Sequence, residues 1–224
     1  MLSSDLVVLF DVDNTLLDND RFSADLDAHL RQVLGEAGRE RYRKHYEQLR
    51  DQRGFADYLA PLQLLRRDFE DDPDLMHVSG FMLDYPFSDR VYPDVPGMLR
   101  KLSGSVRTAI ISDGDIVFQP RKIRRAGLAE AVGGRVLITL HKDKELQTVR
   151  DRLPAGHYVF VDDKPRLLDG IKAELRDAVT TVFVRQGHYA VEQDADAADF
   201  PPDLRLDGIG ELADALPALL RTSR

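Results

Sequence analysis

The chain has no cysteine, which excludes disulfides, thiolate metal sites and a cysteine nucleophile. No apolar run approaches the ~20 residues that a membrane-spanning helix requires. The start, Met1-Leu2-Ser3-Ser4-Asp5, has neither a basic segment nor a small-residue cleavage pattern, so no signal peptide is expected. These absences together predict a cytoplasmic protein without a membrane partner. There is no basic excess either: 31 Lys and Arg stand against 39 Asp and Glu, a net charge of −8. Such a balance argues against a broad nucleic-acid surface. It does not argue against phosphorylated substrates, because a bound cation inverts the local sign. A Walker A sequence is absent, and His141, His157 and His188 have no metal-ligand spacing. Gly208-Ile209-Gly210-Glu211-Leu212-Ala213 fits a dinucleotide pattern, but too little chain follows it for a βαβ unit.

What is present is an ordinary globular composition: 224 residues, 43% hydrophobic and 31% charged. This is enough for one large domain, or a core with a smaller insert. The most informative stretch is Leu6-Val7-Val8-Leu9-Phe10-Asp11-Val12-Asp13-Asn14-Thr15. Five apolar residues end abruptly at two carboxylates, which predicts a strand buried on both faces of a parallel sheet. Asp11 and Asp13 then lie at its carboxyl end, where open α/β sheets bind ligands. Two apart on extended chain, they point to the same side. Like charges held so close repel, unless a cation, a proton or chemistry uses them both.

From about Phe22 to about Tyr85, apolar residues recur at helical spacing in four sets. They are Phe22, Leu26, Leu30 and Val33; Tyr42, Tyr46 and Leu49; Tyr58, Leu62 and Leu65; and Leu75, Val78 and Met82. Four amphipathic helices are expected, punctuated by Gly35, Gly38, Gly54 and the Asp71-Asp72-Pro73 corner. The basic and aromatic segment Arg41–Tyr46 reads as a helix with a solvated basic face and two inward tyrosines. After the stiff turn Tyr92–Gly97 and a helix from Met98, strands and helices alternate. Strands are expected at Val106–Ile111, Val136–Thr139, Tyr158–Val161 and Thr180–Val184, with a last short one at Leu204–Asp207. Helices are expected at Gln119–Ala126, closed by Gly127, and at Glu145–Leu153, Leu167–Leu175 and Gly210–Leu220. An acidic loop runs from Glu192 to Asp199. The fold class is α/β: a Rossmann-like parallel sheet wrapped by helices, with a helical block inserted after the first strand. Residues 1–16 and 92–224 form the core, and residues 17–91 the insert.

Each main strand ends in a polar group suited to phosphoryl chemistry. Asp11 and Asp13 end the first and Ser112 the second. Lys142 follows the third, closer to its end than Lys144, and Asp162-Asp163 end the fourth. Asp11-Val12-Asp13-Asn14-Thr15 matches the Asp-x-Asp-x-Thr motif of the haloacid dehalogenase-like (HAD) hydrolases. Ser112, Lys142 and Asp162-Asp163 then follow in the order of that family's remaining motifs. The chain therefore resembles a HAD phosphatase with a C1-type helical cap. The fourth motif departs from the common Gly-Asp-x-x-x-Asp, with Asp162 in the glycine position and Leu167 in that of the second aspartate. It resembles the family's Asp-Asp variant, and either Asp162 or Asp163 is the direct metal ligand.

The resemblance implies a role for each residue. Asp11 is the nucleophile and forms an aspartyl-phosphate. Asp13 protonates the leaving oxygen and then deprotonates water, which requires a pKa above the ~3.9 of free aspartate; its backbone carbonyl also binds metal. Thr15 steadies the aspartate loop, Ser112 binds a phosphoryl oxygen, and Lys142 offsets negative charge. Mg²⁺ is the implied cofactor, held by Asp11, Asp13, Asp162 and Asp163, and the partner is a small phosphorylated molecule. A 2-haloacid dehalogenase lacks the second aspartate of the first motif, so Asp13 argues against that chemistry. A phosphomutase uses the same core residues and stays open. A phosphorylated signalling switch is the rival of another class, though its acidic pair and phosphorylated aspartate lie on different strands. In capped members the cap and the loop after the first motif select the substrate, which makes Asn19 and Arg21 candidates. Neither the substrate nor the oligomeric state is legible.

Overall fold

The computed structural model describes residues 5–67, 73–192 and 199–222. The Asp71-Asp72 corner, the first four residues and most of the acidic loop after Glu192 lie outside them. The elements, in order, are β1 (Leu6–Phe10), α1 (Asn19–Arg53), α2 (Ala60–Leu65), α3 (Pro73–Asp84), α4 (Val95–Ser103), β2 (Arg107–Asp113), α5 (Phe118–Arg125) and α6 (Leu128–Ala131). They continue with β3 (Val136–Thr139), α7 (Leu146–Arg152), β4 (His157–Asp162), α8 (Pro165–Leu175), β5 (Val179–Val184), α9 (Tyr189–Glu192), β6 (Leu204–Leu206) and α10 (Leu212–Thr222). Short 3₁₀ turns lie at Phe87–Arg90, Arg176–Ala178 and Ile209–Glu211.

Among the described residues the strands form one six-stranded sheet in the order β3-β2-β1-β4-β5-β6. Every pairing is parallel. The chain order reverses beside β1, between β2 and β4, and such a switch point opens a crevice at the carboxyl ends of the strands. Alternation along β1 divides the core. Leu6, Val8 and Phe10 face a cluster with α1, α4, α5 and α10. Val7 and Leu9 face the opposite cluster with α7 and α8. The sheet is thus covered on both faces, which explains why its strands read as continuous apolar runs rather than alternating ones.

Elements α1 to α4 lie between β1 and β2. The kink in α1 falls at Gly35, whose φ of 69° leaves the helical region. A straight helix would hold Asp27 and Arg39 some 18 Å apart, at ~1.5 Å per residue. Instead Arg39 Nη1 donates to Asp27 Oδ1 at 3.0 Å, so the second half of α1 turns back along the first. Gly38, expected to break the helix, lies within it beside Leu34. Tyr42 is buried and donates to the carbonyl of Tyr58 at 2.7 Å, while Arg41, Arg43 and Lys44 are exposed. The buried residues of α1, α2 and α3 join the same cluster as β1, so this block packs on the sheet's own core. Among the described residues no helix is long and apolar enough to cross a membrane.

Candidate active site

The turn after β1 is set by its own backbone. The amides of Leu16 and Leu17 both donate to the Val12 carbonyl, at 2.9 and 3.0 Å, and the Asn14 amide donates to that of Leu17 at 2.7 Å. Asn14 takes a left-handed conformation, φ 61°, which asparagine tolerates better than most residues. Its side-chain oxygen accepts the amides of Asn19 and Asp20 at 3.0 and 3.1 Å, anchoring the first turn of α1 to the loop that carries Asp11 and Asp13. Thr15 is fully buried within this turn. Its hydroxyl has no hydrogen-bond partner among the described residues, so its contribution to the loop is packing.

The carboxyl ends of β1, β2 and β4, with the segment after β3, surround a cavity of about 450 Å³. Asp11, Asp13, Ser112, Asp113, Lys142 and Lys164 line it from the sheet. Lys142 is buried, and its ammonium lies 2.5 Å from Asp11 Oδ1 and 2.6 Å from Asp162 Oδ2. Lys144 is exposed. Burial alone would lower the Lys142 pKa, but the charges of Asp11, Asp162 and Asp113 outweigh it and raise the pKa, holding the ammonium protonated. Asp113 also fixes the chain that bears Lys142. Its Oδ1 accepts the Lys142 amide at 2.8 Å and the Thr139 hydroxyl at 2.7 Å.

One carboxylate oxygen from each of Asp11, Asp162 and Asp163 lies within 4.8 Å of the other two, and all three residues are buried. Asp162 is partly committed, through Lys142 and through the Lys164 amide at 2.9 Å. Asp11 Oδ2 and both oxygens of Asp163 are buried without a hydrogen-bond partner among the described residues. Unpaired buried carboxylate oxygens are costly. Burial and the neighbouring Asp162 charge push the Asp163 pKa up to about 9, and burial, opposed by Lys142, also raises that of Asp162. A hard divalent cation takes oxygen ligands of this kind, so the donor set fits one. The Asp13 carboxylate stands apart from the cluster. Both its oxygens accept from the Lys122 ammonium, at 2.8 and 2.9 Å. Ser112 Oγ is buried and accepts from Gln119 Nε2 at 2.8 Å.

The helical block and the segment after β5 complete the walls with Asn19, Ser23, Tyr46, Arg50, Tyr58, His188 and Tyr189, among others. Asn19 reaches the cavity, but its side chain is engaged by Lys122 and Tyr58, each at 3.0 Å. Arg21 is exposed and pairs with Asp25 at 3.2 Å. Gln119, Lys122, Asp113 and Lys164 were not singled out from sequence. Lys122 lies in a run of basic residues that resembles a solvated helix face. The signal that could have revealed it is its place among Phe118, Gln119 and Ile123, the buried face of α5.

A family model of haloacid dehalogenase-like hydrolases matches residues 6–173. Among solved structures, a haloacid dehalogenase-like hydrolase from Burkholderia xenovorans is 46% identical, with 97% of this chain and 99% of that one covered and a TM-score of 0.91. A haloacid dehalogenase-like family hydrolase from Xanthomonas campestris shares the fold at 18% identity, with 98% of each chain covered and a TM-score of 0.70. So does the L-2-haloacid dehalogenase of Xanthobacter autotrophicus, at 17% identity, with 97% of this chain and 99% of that one covered and a TM-score of 0.65. No curated protein matches the chain. The family match over most of the length and the identity to the Burkholderia protein agree: the chain belongs to the haloacid dehalogenase-like hydrolases.

Proposed function

We propose that the protein is a Mg²⁺-dependent phosphomonoester hydrolase that acts on a small phosphorylated metabolite through an aspartyl-phosphate on Asp11. The observation that carries this reading is the convergence of Asp11, Asp162 and Asp163 beside an ammonium already paired with Asp11. Three of their oxygens have no partner among the described residues. Asp13, lining the same cavity, favours phosphoryl transfer over dehalogenation, because it supplies the acid and base that ester hydrolysis requires.

Asp163, Asp11 and the Asp13 backbone carbonyl would hold Mg²⁺, with Asp162 beside them. The ion would neutralise charge on the phosphoryl group and on the nucleophile. Lys142 keeps Asp11 Oδ1 engaged and leaves Oδ2 free to attack phosphorus. As the Asp11 O–P bond forms, the ester P–O bond breaks, and the leaving oxygen takes a proton from Asp13. Water then attacks the phosphorus of the aspartyl-phosphate and gives its proton to Asp13. Phosphate leaves and the Asp11 carboxylate returns. Ser112 Oγ lies at the cavity wall, where it can donate to a phosphoryl oxygen. Residues 17–91 act as a cap that limits the substrate to a small molecule and keeps stray water out.

The test is phosphate release from p-nitrophenyl phosphate with Mg²⁺, with EDTA, and by Asp11→Asn. The expected result is release that requires both the ion and Asp11. If folded, Mg²⁺-loaded protein releases nothing from this ester, nor from sugar phosphates, phosphoglycolate and nucleoside monophosphates, the reading falls.

A further inference from the structure

Lys122 is a lysine with no access to solvent. Its ammonium lies 5.4–5.9 Å from the ring centroids of Phe22, Tyr58, Phe87 and Phe118. A lysine ammonium has three donors, and here all three are used. Two go to Asp13, at 2.8 and 2.9 Å, and one to Asn19 Oδ1, at 3.0 Å. Gln119, on the same buried face of α5, donates to Asp13 Oδ2 at 3.2 Å and to Ser112 Oγ at 2.8 Å. Burying a cation costs several kcal/mol, recovered only with good pairing. An apolar side chain of similar length would fill four aromatic rings without that cost. The lysine is therefore explained by its charge, and that charge is directed at Asp13.

We infer that Lys122 is a positioning residue for Asp13, and that it links the placement of Asp13 to the docking of the helical block. The inference rests on the phosphatase reading. The linkage follows from where the contacts originate. Phe22 and Asn19 lie on α1, and Tyr58 lies just before α2. Asn19 Nδ2 donates to the Tyr58 hydroxyl at 3.0 Å, joining the two. Phe87 and Phe118 lie outside those helices, and Lys122 and Gln119 sit on α5. A displaced block would remove Asn19 and three of the four rings, since Phe22, Tyr58 and Phe87 all lie within residues 17–91, and let water reach the ammonium. With the block docked, the Asp13 carboxylate is held in one orientation at the cavity, where a shift of about 1 Å is enough to lose much of the rate.

The test compares wild type and Lys122→Met on two esters of similar shape. Phenyl phosphate releases a phenolate about as basic as tyrosine, pKa ~10, and needs a proton delivered by Asp13. p-Nitrophenyl phosphate releases a much weaker base and needs that proton far less. Methionine suits an aromatic cage, and a thermal melt checks folding. The expected result is a kcat loss on phenyl phosphate about tenfold larger than on p-nitrophenyl phosphate (~1.4 kcal/mol), with KM changed less than about twofold. A merely structural role would lower both rates alike. Equal losses on the two esters, or a change confined to KM, would overturn the inference. If Lys122→Met does not fold, Asn19→Leu takes its place under the same criterion. A wild type inert toward all phosphomonoesters sinks the phosphatase reading and this inference with it; an active wild type with equal variant losses sinks the inference alone.

Discussion

Lys142 Nζ lies 2.5 Å from Asp11 Oδ1, with both side chains buried. The same ammonium reaches Asp162 at 2.6 Å, so one cation offsets two carboxylates from neighbouring strands. Replacing it with Met leaves two buried acids without their counter-charge. Loss of one partner from a buried pair costs about 3–5 kcal/mol, and Lys142→Met should lose that much on urea unfolding without metal. Its kcat/KM should fall by about 10²–10³-fold, the usual effect of deleting one electrostatic contact to the reacting group. Steady-state kinetics on protein verified as folded checks the second value.

Asp163 predicts an unusual pH dependence. In metal-free protein its pKa is pushed up to about 9, against ~3.9 for a free aspartate. The folded state then binds more protons than the unfolded state between those values, so stability should fall as pH rises through that window. Saturating Mg²⁺ should reverse the trend, because binding needs the deprotonated carboxylate and releases a proton. Asp163→Asn should remove the slope and make the metal-free protein more stable than wild type at pH 8, because the amide has no charged form to bury. It should also abolish the Mg²⁺-induced rise in melting temperature. Thermal melts from pH 5 to 9, with Mg²⁺ and with EDTA, check all three outcomes.

Much of this arrangement was legible because strand ends are punctuated in the sequence. The run Leu6–Phe10 is apolar at every position and stops at Asp11, so both the strand and the position of its acid could be read. The same holds for β2 ending at Ser112-Asp113 and β4 at Asp162-Asp163. Side chains that reach the site from helices were harder to read. Lys122 stands between arginines, and only tertiary packing decides which of these basic residues turns inward. Thr15 shows what a motif leaves open: it is buried in the aspartate loop, and its hydroxyl has no hydrogen-bond partner among the described residues. Gly35 and Gly38 look alike in sequence. The left-handed break falls only at Gly35, where the chain turns back and Arg39 can reach Asp27.

Arg50 lines the cavity from α1 together with Tyr46 and Tyr58. A cation there attracts an anionic substrate without touching the bonds that change. Arg50→Ala is therefore expected to raise KM about tenfold for the best phosphomonoester, equivalent to ~1.4 kcal/mol of uniform binding. The kcat should stay within about twofold of wild type. Initial-rate curves for that ester and for p-nitrophenyl phosphate decide the point; a fall in kcat at unchanged KM would contradict it.

Gly187 tests how the segment after β5 holds the catalytic turn. Its φ is +71°, and an added Cβ would lie 2.4 Å from both Cβ and Cγ of Asn14. Asn14 cannot easily yield, because it accepts the amides of Asn19 and Asp20 and donates to Asp20 Oδ1 at 2.9 Å. Asp20 in turn accepts from the His188 amide at 2.8 Å. Gly127 also has a positive φ, +72°, but nothing within 4 Å of an added Cβ, which makes Gly127→Ala the control. It should cost about 1–2 kcal/mol for backbone strain alone. Gly187→Ala should cost about 1–3 kcal/mol more, from overpacking against Asn14. Because Asn14 follows Asp13 directly, the displaced turn should also lower kcat, which the control should not. Urea unfolding and kinetics on the two variants give the comparison. Equal stability losses would show that the Gly187–Asn14 approach relaxes freely, and that the segment after β5 does not set the position of the aspartate loop.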